Sequence, residues 1–278
     1  MWKSYFKDKV IIVTGASSGI GLASAKLFAS LGARVSIASR SLDKLEALAS
    51  ELAANYGAEV LCVQTDVTVE EQCNNLIAKT LERFGHIDIL VNNAGLSMRA
   101  NFIDVNLDVL RRLMDVNFWG TVYCTKAALP HLLETKGTVA GVISIAGYSA
   151  LPKRTGYSAS KYAVRGFLDA LRIEHLKDGL TVFAFAPNYV ESNVRNAALT
   201  ADGTPQGSTP LDEKGLMSAD ECALRFAKSL ARRRTRQILT PLGKITCAGR
   251  QLIPHIDDRI TYNYIMERED SGSDARKN

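Results

Sequence analysis

Short runs of β-branched and apolar residues alternate with longer stretches of helical periodicity, and this alternation constrains the fold more than any other feature. Val10-Ile11-Ile12-Val13 has the composition of a buried strand. Residues 19–30 follow as a helix, with Ile20, Ala23, Leu27 and then Leu31 on one face. Further strands are predicted at 35–38, 60–64, 87–91, 139–145 and 180–185, and helices at 41–55, 69–84, 107–133 and 157–176. Ser41 stands where the second helix needs an N-cap. A short helix opens at Ser218 and runs to about Ala231, and residues 237–240 are a candidate seventh strand. Strict alternation predicts an α/β fold, a parallel sheet covered by helices on both faces, because a parallel crossover returns the chain through a helix.

No repeat or linker interrupts this pattern, so residues 1–266 read as one domain. Within it, 188–217 is irregular and rich in Thr, Gly, Pro and Ser, as a functional lid or a disordered loop would be. Residues 267–278 are polar and read as a flexible tail.

Composition removes several classes. At 46% hydrophobic and 23% charged residues the chain reads as a soluble globular protein. No window approaches the run of about 18 apolar residues that a spanning helix needs. The first nine residues lack the apolar region of a signal peptide, so a cytoplasmic location is expected. The five cysteines (62, 73, 124, 222, 247) contain no CxxC pair and the four histidines are isolated. Neither a disulfide framework nor a metal site is expected. The net charge of +5 is local, since residues 228–250 hold seven basic side chains and no acidic one. Such a run is a solvated face or a contact with an anionic ligand or membrane. Leu252, Ile253, Ile256 and Ile260 follow it, which suits peripheral contact with a lipid surface. No nucleic-acid-binding motif accompanies the basic run, so nucleic acid is not expected as a partner.

The segment Thr14-Gly15-Ala16-Ser17-Ser18-Gly19-Ile20-Gly21 lies between the first strand and the first helix. That is where a dinucleotide site needs glycines: Gly15 for the tight turn, Gly19 for approach of the pyrophosphate, Gly21 for close helix–strand packing. The helix N-terminus adds free N–H groups and partial positive charge. No Lys-Ser/Thr pair follows, which excludes a P-loop. An acidic residue at the end of the second strand would select NAD(H); Ser39-Arg40 stands there instead. An arginine fork suits a ribose 2′-phosphate, so NADP(H) is the expected cofactor.

Tyr157 and Lys161 are spaced i, i+4 on one helical face. A lysine ammonium beside a tyrosine lowers the phenol pKa and suits the pair to proton transfer at a carbonyl or alkoxide. Ser144, 13 residues earlier, closes the fifth predicted strand. Asn117 is a polar residue within an otherwise apolar helix and needs hydrogen-bond partners there.

In this order and spacing, Thr14 to Gly21, Asp66 in Thr65-Asp66-Val67, Asn92-Asn93-Ala94-Gly95, Asn117, Ser144, Tyr157 and Lys161 resemble the short-chain dehydrogenase/reductase family over residues 8 to about 240. The resemblance implies a single Rossmann-type sheet of about seven strands in the order 3-2-1-4-5-6-7. It implies hydride exchange between NADP(H) and a ketone or secondary alcohol. Tyr157 would be the general acid or base, Lys161 would lower its pKa and hold the nicotinamide ribose, and Ser144 would bond the carbonyl oxygen. Asn117 would support a water that links Lys161 to solvent. Asp66 and Val67 would hold adenine, Asn93, Ala94 and Gly95 would line the cofactor channel, and Pro187 to Ser192, with Val190, would close over the carboxamide. The chain departs from the family pattern at Asn188, where glycine is usual, at Ser192 in place of threonine, and at Ile143 in place of serine. Homodimers or homotetramers formed through the long helices are also implied.

Substrate walls in this family come from the loops after the fourth, fifth and sixth strands. Here they would include Met98, Phe102, Ala146, Tyr148, Leu151, Asn188, Tyr189 and Val194. These side chains favour a small apolar carbonyl compound or alcohol, although Arg99 and Arg154 could meet a charge. Stretches near 197–203 and 220–224 are similar to the branch holding 11β-hydroxysteroid dehydrogenases and 3-ketosphinganine reductases, without their membrane anchor. A 3-ketosphinganine reductase is therefore one alternative. A non-catalytic NADP(H)-sensing protein is another, disfavoured because Asn117, Ser144, Tyr157 and Lys161 are all present.

Overall fold

In the computed structural model, residues 2–188, 190–191, 194–207 and 216–263 are described. Seven parallel strands form one sheet in the order β3-β2-β1-β4-β5-β6-β7. They are β1 Val10–Thr14, β2 Arg34–Ser39, β3 Val60–Gln64, β4 Ile89–Asn92, β5 Thr138–Val142, β6 Thr181–Ala186 and β7 Arg236–Ile238. β1, β4, β5 and β6 are buried at every position, as both-faces-covered parallel strands must be. The expected strand order therefore holds.

One face is covered by α1 Gly19–Ser30, α2 Leu42–Tyr56 and α7 Ala219–Ala231. Its core packs Phe6, Phe28, Phe183, Phe185 and Phe226, with Phe226 stacked on Phe183 at 5.7 Å between ring centroids. The other face is covered by α3 Glu70–Phe84, α5 Gly120–Glu134 and α6 Thr155–Glu174. There Leu76, Ile77, Leu132, Val164 and Leu168 pack on the sheet.

The expected single helix over 107–133 is two helices. α4 Leu107–Met114 ends in a π-helical turn, Asp115–Trp119, before α5 begins. The wide turn aims Asn117 inward and leaves Trp119 outside. β5 also ends earlier than expected. Ser144 lies beyond it and opens a 3-10 turn over Ile145–Gly147, its Oγ accepting from the Ala146 N–H at 3.2 Å. Ser41 holds the N-cap position of α2, but its side chain makes no cap bond.

After β7 come two helices that the sequence reading did not anticipate, α8 Pro241–Leu252 and α9 Pro254–Tyr262. Thr240 caps α8, its Oγ1 accepting from the Gly243 N–H at 3.0 Å, and each helix has a proline in its first turn. The basic run of 228–250 is dispersed over several elements. Arg233 donates to the carbonyls of Lys136 and Gly179, and Arg236 and Lys228 lie over the rings of Tyr148 and Trp2. Of the expected lid, the described part is docked on the loop after β4. Leu199 is buried and exchanges backbone bonds with Ser97 and Arg99. Among the described residues, no helix is long and apolar enough to cross a membrane.

Candidate active site

Parallel strands in an open sheet end at one edge, and a crevice opens where the strand order reverses. In this sheet the reversal lies between β1 and β4, which are neighbours although three strands apart in the chain. A cleft of about 540 Å³ lies over these strand ends.

The glycine loop forms one end of the cleft. Gly15 and Gly19 have φ of +67° and +55°, which L side chains rarely adopt. A Cβ on Gly15 would also sit 2.8 Å from the Ala94 Cα. Gly21 lets α1 approach the ends of β1 and β4 closely: a Cβ there would collide with the Gly15 carbonyl and the Asn93 amide. The Thr14 hydroxyl accepts the N–H groups of Asn93 and Ala94 at 3.0 and 3.1 Å and donates to the Val91 carbonyl at 3.3 Å. Asn93 Nδ2 returns a bond to the Thr14 carbonyl at 2.9 Å. Thr14 is thus more than the start of the glycine motif: it joins the ends of β1 and β4. Ser17, Ser18, Gly19 and Ile20 line the cleft at the N-terminus of α1, where the Ser18 side chain makes no cap bond and the first N–H groups stay open.

Ser39, Arg40, Asp66 and Val67 border the same end of the cleft. The Ser39 hydroxyl is turned to its own backbone, accepting from Ser41 N–H at 3.2 Å. Arg40 is exposed, and its guanidinium has no partner among the described residues. Asp66 Oδ1 accepts from the Thr68 N–H and hydroxyl, which fixes the carboxylate at the rim. Val67 is held by α5, whose Gly120 leaves no room for a Cβ beside the Val67 side chain.

Ser144, Tyr157 and Lys161 meet at the other end. Lys161 Nζ lies 5.8 Å from the centre of the Tyr157 ring, as the i, i+4 spacing requires, and donates to the Val142 carbonyl at 3.0 Å. Burial pulls its pKa down to about 8. Tyr157 does not show the expected depression. Burial raises its pKa, against the neighbouring Ser144 hydroxyl and the charge of Arg154, which both lower it. Asn117 lies behind the cleft wall. Its Oδ1 accepts from Leu96 N–H at 2.8 Å, and its Nδ2 donates to the Leu96 carbonyl and to Ser160 Oγ at 3.0 and 2.8 Å. These bonds brace the π-helical turn against the floor under Lys161. Gly95 belongs to that floor: a Cβ there would touch both Asn117 Oδ1 and Lys161 Nζ.

Leu151, Asn188 and Val194 line the cleft as expected, and so do Ala94, Gly95, Pro187 and Val190. Tyr148 does not. It is 3% exposed, packed in the core beneath the Arg165 guanidinium at 4.1 Å, because the 3-10 turn after Ser144 carries it away from the opening. Met98 and Ala146 are fully buried, and Phe102 is exposed outside the cleft. Tyr189 and Ser192 lie outside the described residues. The sequence reading missed Leu96, Arg112, Asp115, Val116 and Arg195, which all line the cleft. Arg112 and Asp115 carried no signal, because only the packing of α4 brings them there.

A glycine-lined dinucleotide seat and a Ser/Tyr/Lys cluster in one cleft define the class as a Rossmann-type oxidoreductase. The comparisons with known proteins agree. The family described as short chain dehydrogenase matches residues 9–202. The mouse protein "Dehydrogenase/reductase SDR family member 7B" is 35% identical over 242 residues, 86% of this chain and 75% of the mouse protein. The Arabidopsis thaliana "11-beta-hydroxysteroid dehydrogenase-like 4A" is 37% identical over 230 residues, 82% of this chain and 75% of that one. Among solved structures, an alcohol dehydrogenase from Thermococcus sibiricus complexed with 5-hydroxy-NADP superposes with a TM-score of 0.74 at 30% identity, covering 84% of this chain and 96% of its own. A Burkholderia phymatum short-chain dehydrogenase/reductase in complex with NAD has the same fold, with a TM-score of 0.81 at 24% identity over 91% of this chain and 96% of its own. The chain belongs to the short-chain dehydrogenase/reductase family, whose fold binds a nicotinamide cofactor.

The buried lysine sets a pH dependence of stability. An unfolded lysine keeps its proton until about 10.5, whereas Lys161 releases it near 8. Between these values the unfolded chain binds the extra proton, so stability rises with pH. Below pH 8 the cost is at most roughly 3 kcal/mol. Urea unfolding without cofactor should show Lys161→Met ahead of the wild type by a margin that shrinks from pH 7.5 to 10.5. A constant margin would contradict the assignment.

Proposed function

We propose that the protein is an NADPH-dependent oxidoreductase that interconverts a ketone and a secondary alcohol on an apolar, lipid- or steroid-like substrate. The observation that carries this reading is the convergence of Ser144, Tyr157 and Lys161 at one end of a cleft whose other end holds an unpartnered Arg40. The residues present fit the dinucleotide. The glycine loop is a cradle that Cβ atoms at Gly15 and Gly21 would fill, and the α1 N-terminus suits a diphosphate. Arg40 offers a planar fork to a 2′-phosphate. Asn188 Oδ1 is a buried acceptor without a partner among the described residues, suited to an amide N–H such as that of a carboxamide. The Thermococcus structure, which holds 5-hydroxy-NADP, supports the same choice.

When bound, the cofactor supplies or accepts the hydride. The protein handles the proton. Tyr157 donates it to the carbonyl oxygen in reduction and takes it from the alcohol in oxidation. Ser144, beside Tyr157 in the cleft, shares the substrate oxygen with it. Lys161 adds positive charge beside the phenol, and its remaining N–H donors would hold the nicotinamide ribose. Asn117 is a positioning residue that holds Ser160 and Leu96 in place beneath them. Leu96, Val116, Leu151, Val190 and Val194 give the substrate body an apolar wall, and the name of the Arabidopsis relative points the same way.

Two surfaces bear on partners. Trp119, Tyr162, Ile173 and Leu176 are exposed on or just beyond α5, α6 and the turn before α5, and would bury against a second copy. Leu242, Ile245, Leu252, Ile256 and Ile260 are exposed on α8 and α9 among Lys244, Arg250 and Arg259, as a lipid-facing hairpin would have them.

Tyr157→Phe should lower kcat for ketone reduction by about 100-fold or more, as expected for loss of the proton donor; retained turnover refutes the mechanism. Arg40→Ala should reduce the preference for NADPH over NADH by about tenfold or more, roughly one charge-assisted contact. A smaller change removes the NADP assignment. Light scattering should give a dimer or tetramer, and flotation at low salt should show binding to anionic vesicles; a monomer, or no flotation, removes the corresponding surface.

A further inference from the structure

The substrate end of the cleft is more basic than an apolar ketone requires. Arg112, Arg154 and Arg195 all line it. Arg195 is committed to the protein, donating to the Val190 carbonyl at 2.6 Å. Arg154 is different. It holds the N-cap position of α6, three residues before Tyr157 and so on an adjoining face. It is partly buried, and its guanidinium has no hydrogen-bond or ion-pair partner among the described residues. A guanidinium on the cleft wall with five donors unused by the protein presents them to whatever occupies the cleft.

Arg112 comes from α4. Gly156 lets that helix approach closely, since a Cβ there would lie 2.9 Å from Leu110 Cγ and 3.0 Å from Leu113 Cδ1. Arg112 Nη1 donates to the Gly203 carbonyl at 3.0 Å, which holds the side chain across the opening. The acids on the wall do not neutralise this pair. Asp66 is bound to Thr68 at the glycine-loop end, and Asp115 pairs with neither arginine among the described residues. A dinucleotide diphosphate has its own seat at α1, which leaves Arg154, beside Tyr157, to the substrate.

We propose that Arg154, flanked by Arg112, forms an anion subsite that binds a carboxylate or phosphate carried by the ketone substrate. The substrate is then an amphiphile, with an apolar body on the Leu96, Val116, Leu151 and Val194 wall and an acidic group near the reacting carbonyl. This specificity rests on the reductase reading above. It also uses the field already present at the site, since the charge of Arg154 reaches the Tyr157 phenol.

The test compares kcat/KM with NADPH for three matched probes: a long-chain γ-keto acid, its methyl ester, and a long-chain ketone ending in a phosphate monoester. A neutral aromatic diketone serves as a general substrate. The wild type should prefer one or both acidic probes over the ester by about tenfold or more, the worth of a charge-assisted bond. Arg154→Ala should bring that ratio close to one. Arg154→Lys should keep part of it, since an ammonium holds charge but not the fork. Arg112→Ala should lower it by a smaller factor. A measurement free of variants guards against misfolding: a long-chain carboxylate without a ketone should inhibit ester reduction by the wild type competitively. Turnover of diketone and ester with no acid preference and no such inhibition overturns the subsite and leaves the reductase reading standing. An acid preference unchanged in Arg154→Ala also overturns it. Turnover of no probe, with NADPH bound, overturns the reductase reading and the subsite together.

Discussion

The reversal of strand order between β1 and β4 is held by two side chains, and the rest of the site depends on them. Thr14 and Asn93 tie the end of one strand to the end of the other through side-chain bonds to backbone. Each bond contributes on the order of 1 kcal/mol net, and leaving such buried groups unpaired would cost more. Without them the strand ends could splay, and the glycine loop would lose its support on one side. The loop in turn sets the entry angle of α1 and the position of its open N–H groups. The junction thus shapes one end of the cleft whose other end holds Ser144, Tyr157 and Lys161.

The electrostatics of the cleft follow from what the fold leaves uncovered. Strand carbonyls at the sheet edge are acceptors, and Lys161 is buried because one of them, on Val142, takes its ammonium. Tyr157 feels burial in one direction and Ser144 and Arg154 in the other. Few acids face the opening, and the one nearest the glycine loop is fixed by Thr68. Lys161, Arg112 and Arg195 are set in place by the backbone carbonyls of Val142, Gly203 and Val190, whereas the Arg40 and Arg154 guanidiniums have no partner among the described residues. The three held groups need little reorganisation to meet an anion.

Much of this was legible in the chain. The strands read well because residues buried on both sheet faces give unbroken apolar runs such as Val10 to Val13. Tyr157 and Lys161 read well because their relation is local, one helical turn apart. Other features depended on information that spacing does not carry. Tyr148 was misplaced because a 3-10 turn after Ser144 sends it into the core. Arg112 is legible only through the packing of α4 on α6. The π-helical turn at Asp115–Trp119 differs from an α-helix by one residue per turn, too little to disturb an apolar periodicity over five positions. α8 and α9 had usable signals in Thr240-Pro241 and in Pro254, but the basic charge of that region dominated the reading.

That π-helical turn gives the helix a reserve of length at one place. The turn holds one residue more than α-helical geometry needs, so a single deletion within 115–119 would convert it to α-helix without breaking the helix. Residues beyond it would keep their phase, whereas the same deletion in regular α-helix would rotate everything beyond by about 100°. Tyr123, on the outer side, would stay in place, while Asn117, inside the turn, would lose the wide geometry that carries it to Leu96 and Ser160. The outer profile of α5 could thus survive a loss of length that the inner brace of the site could not, and a shortened turn would leave a well-formed helix beside a site without its support.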